Sequence, residues 1–198
     1  MFNIDRDGWI YGAGSAIVPS PFYDQRQGSF VLDLIVIHNI SLPAGVFGTG
    51  HVAALFEGTI DCAAHPTFES LRGLEVSAHF FIDRNGFIRQ FVSTNSRAWH
   101  AGVSRFKNRT RCNDFSIGIE LEGCDTEPFE QAQYRALTEL IAAIVKRYPT
   151  IQYVTGHKDI APGRKTDPGP FFNWTQLMER LKSVKPLQYW TVSKKIHQ

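Results

Sequence analysis

The sequence has little of what marks an extracellular, membrane-spanning or nucleic-acid-binding chain. It holds three cysteines, Cys62, Cys112 and Cys124, an odd number without C-x-x-C spacing. That argues against a disulfide framework or a cysteine zinc knot and fits a reducing compartment. No apolar run approaches the roughly 18 residues that a transmembrane helix needs. Residues 1–11 carry Asp5 and Asp7 and lack a basic segment followed by an apolar core, so no secretory leader is expected. Charge of one sign is scarce too. Twenty-one Lys+Arg against 19 Asp+Glu leave +2, too weak a field to argue for nucleic-acid binding. Repeats and Ser/Gly linkers are missing. Apolar matter is present: 43 % of the 198 residues are hydrophobic, which excludes disorder as the main state and suggests one domain.

Local patterns suggest an alternation of strands and helices. Val31–Ile37 (VLDLIVI) is nearly unbroken β-branched and leucine sequence, the pattern of a central strand covered on both faces. His51–Phe56 suits a short helix. Val76–Ile82 and Phe87–Val92, separated by Arg84-Asn85-Gly86, predict a hairpin turned by Asn-Gly. Ser116–Glu122 alternates strictly, with Ile117, Ile119 and Leu121 on one side and Gly118, Glu120 and Glu122 on the other. Thr126 and Pro128 suit the start of a helix whose stripe is Tyr134, Leu137, Ile141, Ile144, Val145 and Tyr148. A strand over Ile151–Thr155, a Gly/Pro segment and a helix capped by Asn173 follow. The expected class is α/β, one domain with a central mixed β-sheet flanked by helices. Residues 1–182 form that domain (motif core 31–174), and residues 183–198 read as a polar, loosely held tail.

Two histidines stand at strand ends, where α/β sheets open into loops. His38 follows the Val31–Ile37 run and His157 follows Ile151–Thr155. Each can equally close its strand through a hydrogen bond. Pro168 disfavours helical geometry at Asp167, and an extended Lys165-Thr166-Asp167 aims Lys165 and Asp167 to one side. A surface ion pair is the alternative. Two imidazoles and a carboxylate make a workable zinc site with one position open for water, and the same set holds non-haem Fe(II). Glu120 lies on the polar side of its strand beside Gly118, as a general base near a metal or as part of a solvated face. The remaining histidines, His51, His65, His79 and His197, read as structural or solvated. Trp99-His100 in a glycine loop suits a sugar or peptide rim, and Lys107, Arg109 and Arg111 form a small basic loop.

Five segments in order carry a resemblance: Val36–Pro43 (VIHNISLP), Ser77–Val92 (SAHFFIDRNGFIRQFV), Arg97–Ser104 (RAWHAGVS), Arg111–Gly123 (RCNDFSIGIELEG) and Thr155–Pro170 (TGHKDIAPGRKTDPGP). From about Trp9 to Trp174 the chain resembles the zinc N-acetylmuramoyl-L-alanine amidases, which share a fold with peptidoglycan recognition proteins and phage lysozyme-like amidases. Within them it is most similar to the AmpD-type branch acting on 1,6-anhydro-N-acetylmuramyl substrates. The resemblance implies zinc ligands at His38, His157 and Asp167, a catalytic glutamate at Glu120 and a catalytic lysine at Lys165. It implies substrate contacts at Asn39, Trp99 and Arg111, while Leu71–Glu75 departs from the pattern. It further implies one zinc ion, an anhydromuropeptide substrate, a cytoplasmic place in peptidoglycan recycling and an indirect role in β-lactamase induction; the oligomeric state is left open, with a monomer favoured. A binding module that grips muropeptides without cutting them is the alternative.

Overall fold

The computed structural model describes residues 1–26 and 31–192. Seven strands form the central sheet: β1 (Ser15–Ile17), β2 (Leu34–Ile40), β3 (Phe80–Ile82), β4 (Ile88–Gln90), β5 (Ser116–Glu122), β6 (Tyr153–Gly156) and β7 (Gln188–Tyr189). Their spatial order is β7-β6-β2-β5-β3-β4-β1. Every pairing is parallel except the β3–β4 hairpin. This is the mixed sheet of the expected α/β class.

The central strand sits three residues later than the apolar run suggests. Asp33 is occupied elsewhere: its carboxylate takes Arg109 at 2.9 and 3.0 Å, and its carbonyl accepts the Gln152 and Tyr153 N–H groups. Pairing then extends through Ile40, because β5 offers partners from Ser116 opposite Leu34 to Glu122 opposite Ile40. His38 therefore lies inside the strand, directly opposite Glu120, and not just beyond its end.

Alternation along β2 and β5 divides the core. Ile35, Ile37, Ile117, Ile119 and Leu121 pack beneath α2 (Gln131–Arg147) and α4 (Trp174–Leu181), meeting Leu137, Ile141, Ile144, Leu177 and Leu181. The predicted stripe is thus the buried face of α2. That helix starts at Gln131, later than Thr126 and Pro128 imply, because Gln133 Oε1 accepts the Glu130 N–H at 3.0 Å and caps the turn there. The last helix begins as expected, with Asn173 Oδ1 accepting the Gln176 N–H at 2.9 Å. On the opposite face Leu34 and Val36 meet Ala101, Phe106, Cys112 and Phe115. Beside them α1 (His51–Phe56) buries Val52, Leu55 and Phe56 against Phe81 and Phe91.

One further expectation holds and one is corrected. The hairpin turns through Arg84-Asn85-Gly86, as expected. Asp83 Oδ1 accepts the Asn85 and Phe87 N–H groups at 2.9 and 3.0 Å, and Gly86 takes the left-handed position at φ 84°. Residues 183–192 are no loose tail, since β7 joins the sheet beside β6 and Trp190 packs edge-on against Phe106. Residues 193–198, including His197, lie outside the described residues.

Candidate functional site

The site forms on the sheet face away from α2, where β2 and β6 end. His38 comes from β2, and His157 opens the single-turn helix α3 (His157–Ile160) directly after β6. Asp167 is returned to the same point by the following loop, whose Asp167 carbonyl accepts the Lys158 N–H at 2.9 Å. His38 Nδ1, His157 Nδ1 and Asp167 Oδ2 then stand 3.1, 2.9 and 3.1 Å apart.

The hydrogen bonds around this triangle fix which ring nitrogens carry protons. Ser116 Oγ donates to the Cys112 carbonyl at 2.6 Å, so it accepts from His100 Nε2 at 3.1 Å. The neutral His100 ring thus turns its Nδ1 lone pair to His38, whose Nε2–H donates across 3.0 Å. His157 donates its Nε2–H to the Ala101 carbonyl at 3.1 Å. With one proton on each ring, held at Nε2 by these bonds, both Nδ1 atoms present lone pairs, which face each other and a carboxylate oxygen. Three acceptors at these separations lack any proton to hold them together. A divalent cation fits: zinc bonds of roughly 2.0–2.2 Å in a tetrahedral array separate ligand atoms by roughly 3.3–3.5 Å, within a few tenths of an ångström of this triangle.

Burial and neighbouring charge prepare the donor set. Burial, then the charge of His157, pushes the His38 imidazole down to about 4, leaving it neutral at pH 7. Burial alone raises the Asp167 carboxyl, but the hydrogen bonds and charge that His157 and His38 supply when protonated outweigh it and, without a metal, lower it below the usual carboxylate range. His100, whose own imidazole is driven far below its ordinary value by burial and by His38, turns its ring to His38 instead of standing on the expected sugar or peptide rim. The signal was Gly118: a Cβ there lands on the His100 ring, so the glycine beside Glu120 leaves room for this imidazole. His100→Ala is expected to weaken zinc binding by about 10–100-fold while the fold persists, because His38 loses its orienting acceptor. Competition with a chromophoric chelator measures it, and unchanged affinity would contradict the assignment.

Glu120 stands beside the triangle, its Oε1 3.9 Å from His38 Nδ1. It is 8 % exposed, so the solvated-face alternative is excluded. Its Oε2 is buried without a hydrogen-bond partner. Burial first, and the charge of Asp167 second, push its carboxyl well above the ordinary value, while Lys165 opposes them. Lys165 is exposed and lines, with Asp167, Asn39 and Asp125, a cleft of about 520 Å³. Lys165 and Asp167 share that cleft, and Thr166 between them lines it too. Asn39 Nδ2 donates to Asp125 Oδ1 at 2.9 Å.

The other anticipated contacts fall outside that lining. Trp99 stacks on Phe22, with ring centroids 6.5 Å apart, and Arg111 pairs with Asp114 at 3.1 Å. The basic loop is largely structural. Arg109 lies 3.9 Å over the Phe115 ring and Lys107 lies 3.7 Å over the Tyr153 ring.

Residues 28–170 match the family model for N-acetylmuramoyl-L-alanine amidase. The chain belongs to this amidase family. It is 54 % identical over 172 residues to the 1,6-anhydro-N-acetylmuramyl-L-alanine amidase AmpD of Escherichia coli, covering 86 % of this chain and 93 % of that one. The crystal structure of a selenomethionine AmpD derivative superposes with a TM-score of 0.85 at 52 % identity, over 89 % of this chain and 98 % of that one. A complex of the E. coli amidase AmiD with anhydro-N-acetylmuramic acid-L-Ala-D-γ-Glu-L-Lys gives a TM-score of 0.55 at 31 % identity, over 89 % of this chain and 65 % of that one. The mixed sheet is thus the sheet of the N-acetylmuramoyl-L-alanine amidases. Among the described residues the triangle of His38, His157 and Asp167 is the cluster suited to a metal. No helix among them is long and apolar enough to cross a membrane.

Proposed function

We propose that this protein is a zinc-dependent amidase. It hydrolyses the amide between the lactyl group of 1,6-anhydro-N-acetylmuramic acid and the L-alanine of the stem peptide. The observation that carries the reading is the close triangle of His38 Nδ1, His157 Nδ1 and Asp167 Oδ2, set beside a buried Glu120 carboxylate with an unpartnered oxygen. A zinc ion held by those three residues supplies Lewis acidity, polarising a carbonyl and acidifying water toward a pKa of roughly 7.

The chain's own groups do the rest. Glu120 takes the proton of the attacking water, and its raised basicity suits that task. The protonated carboxyl then hands the proton to the departing L-alanine nitrogen. Lys165, whose Nζ has no hydrogen-bond or ion-pair partner among the described residues, brings a cation to the cleft for the charge developing on the carbonyl oxygen. Asn39 contacts the substrate from the cleft wall, with Trp99 and Arg111 outside that lining. The intact ligand set and the free base favour cleavage over mere binding. The AmpD relatives support the anhydro sugar as the preferred form, and with it a place in cytoplasmic recycling of cell-wall fragments and an indirect influence on β-lactamase induction.

Mass spectrometry on anhydro-N-acetylmuramyl-tripeptide tests the reaction. Free tripeptide and anhydro-N-acetylmuramic acid are expected, whereas intact substrate in the presence of bound zinc contradicts it. Lys165→Ala is expected to lower kcat by about 10²–10³-fold with zinc retained, the usual effect of removing one oxyanion stabiliser. Undiminished turnover in that variant removes Lys165 from the mechanism.

A further inference from the structure

Glu122 is a buried carboxylate that the proposed chemistry does not use. It lies two residues beyond Glu120 on the same side of β5 and is 5 % exposed. Backbone N–H groups from two separate loops occupy its oxygens. Oε1 accepts the Gly48 N–H at 2.6 Å, and Oε2 accepts the Arg84 N–H at 3.2 Å. Gly48 belongs to the segment over residues 41–50, and Arg84 to the β3–β4 turn. The Arg84 guanidinium closes the arrangement from outside. It lies 4.7 Å over the Phe47 ring and donates to the Pro128 carbonyl at 3.0 Å and to Glu130 at 2.7 Å.

The clamped segment is a partition. Ala44 and Gly45 line the cleft that holds Lys165 and Asp167. Phe47 and Gly48 line a second cavity of about 450 Å³, whose floor includes Glu122 and Phe81. The segment's own ties are turn bonds, such as Ser41 Oγ accepting the Gly45 N–H at 2.8 Å and Thr49 donating to the Leu42 carbonyl at 2.7 Å. They shape it without attaching it to the sheet.

We propose that Glu122 is a positioning residue for substrate binding: through Gly48 it pins the 41–50 segment as the wall of the amidase cleft, with the Arg84–Phe47 contact as a second clamp. The inference rests on the proposed amidase function. Loosening the wall degrades the surface that meets the substrate and leaves Glu120, Lys165 and the metal ligands in place. The signature is a change in KM with kcat preserved.

Two variants test it. Glu122→Gln turns an amide donor toward one of the two backbone donors, and Phe47→Ala removes the outer clamp without touching the buried strand. In zinc-loaded full-length protein, each is expected to raise KM for the anhydromuropeptide about tenfold, with kcat within about twofold of wild type. Amide hydrogen exchange over residues 44–50 should quicken in both, at unchanged zinc content. An unchanged KM and unchanged exchange in folded variants overturn the proposal, as does a fall in kcat alone. If the wild-type protein itself fails to hydrolyse the substrate, the functional reading falls, and the exchange data still judge the wall.

Discussion

Asp167→Ala is expected to leave the purified protein without zinc and without measurable turnover. The carboxylate is the anionic member of the ligand set, and its Oδ2 faces both imidazole Nδ1 atoms at 2.9 and 3.1 Å. Removing even an outer-sphere partner of a metal ligand weakens binding about 10–100-fold, so losing a ligand itself should exceed that. The fold should survive. Asp167 lies on a loop at the sheet's edge, and the packed faces of β2 and β5 do not include it. The substitution also removes a negative charge that hinders ionisation of Glu120. Metal analysis and thermal denaturation of the variant in chelator separate the two effects. A full equivalent of zinc in Asp167→Ala contradicts its role as ligand.

Glu120→Gln is expected to lower kcat by about 10²–10⁴-fold, the span that a positioned general base supplies, with one equivalent of zinc retained. Glutamine keeps the volume and hydrogen-bonding shape of the side chain and removes only its capacity to take a proton. Because the carboxylate is buried and its Oε2 lacks a partner, neutralising it relieves a desolvation cost. The variant should therefore be at least as resistant to thermal unfolding as the wild type. Activity within tenfold of wild type removes Glu120 as the base. Loss of zinc instead makes it a ligand or a support for one.

Much of this architecture is legible in the sequence because apolar periodicity and local geometry agree. The strand Ser116–Glu122, the helix His51–Phe56 and the Asn173-capped helix Trp174–Leu181 occur as the patterns indicate. Legibility fails where a side chain far away in sequence decides. Arg109 holds Asp33 out of the central strand, and Gln133 moves the start of α2 to Glu130. The polar side of β5 reads as half solvated until the His100 ring is seen over Gly118 and the loop amide of Gly48 on Glu122. Both partners arrive from other parts of the chain. Position alone likewise leaves His38 and His157 ambiguous, since each also makes a structural hydrogen bond. What decides is the meeting of two ring nitrogens and a carboxylate oxygen from β2, α3 and the loop before Pro168, 119 and 10 residues apart in the chain.

The central claim is that this triangle holds one metal ion on which amide cleavage depends. Its most direct test follows tripeptide release from anhydro-N-acetylmuramyl-tripeptide by the wild-type protein, first after chelation and then during titration with zinc. The expected result is loss of cleavage on chelation and linear recovery that saturates at one zinc per chain. Cleavage that persists in the stripped protein, or recovery that needs no metal, contradicts the account.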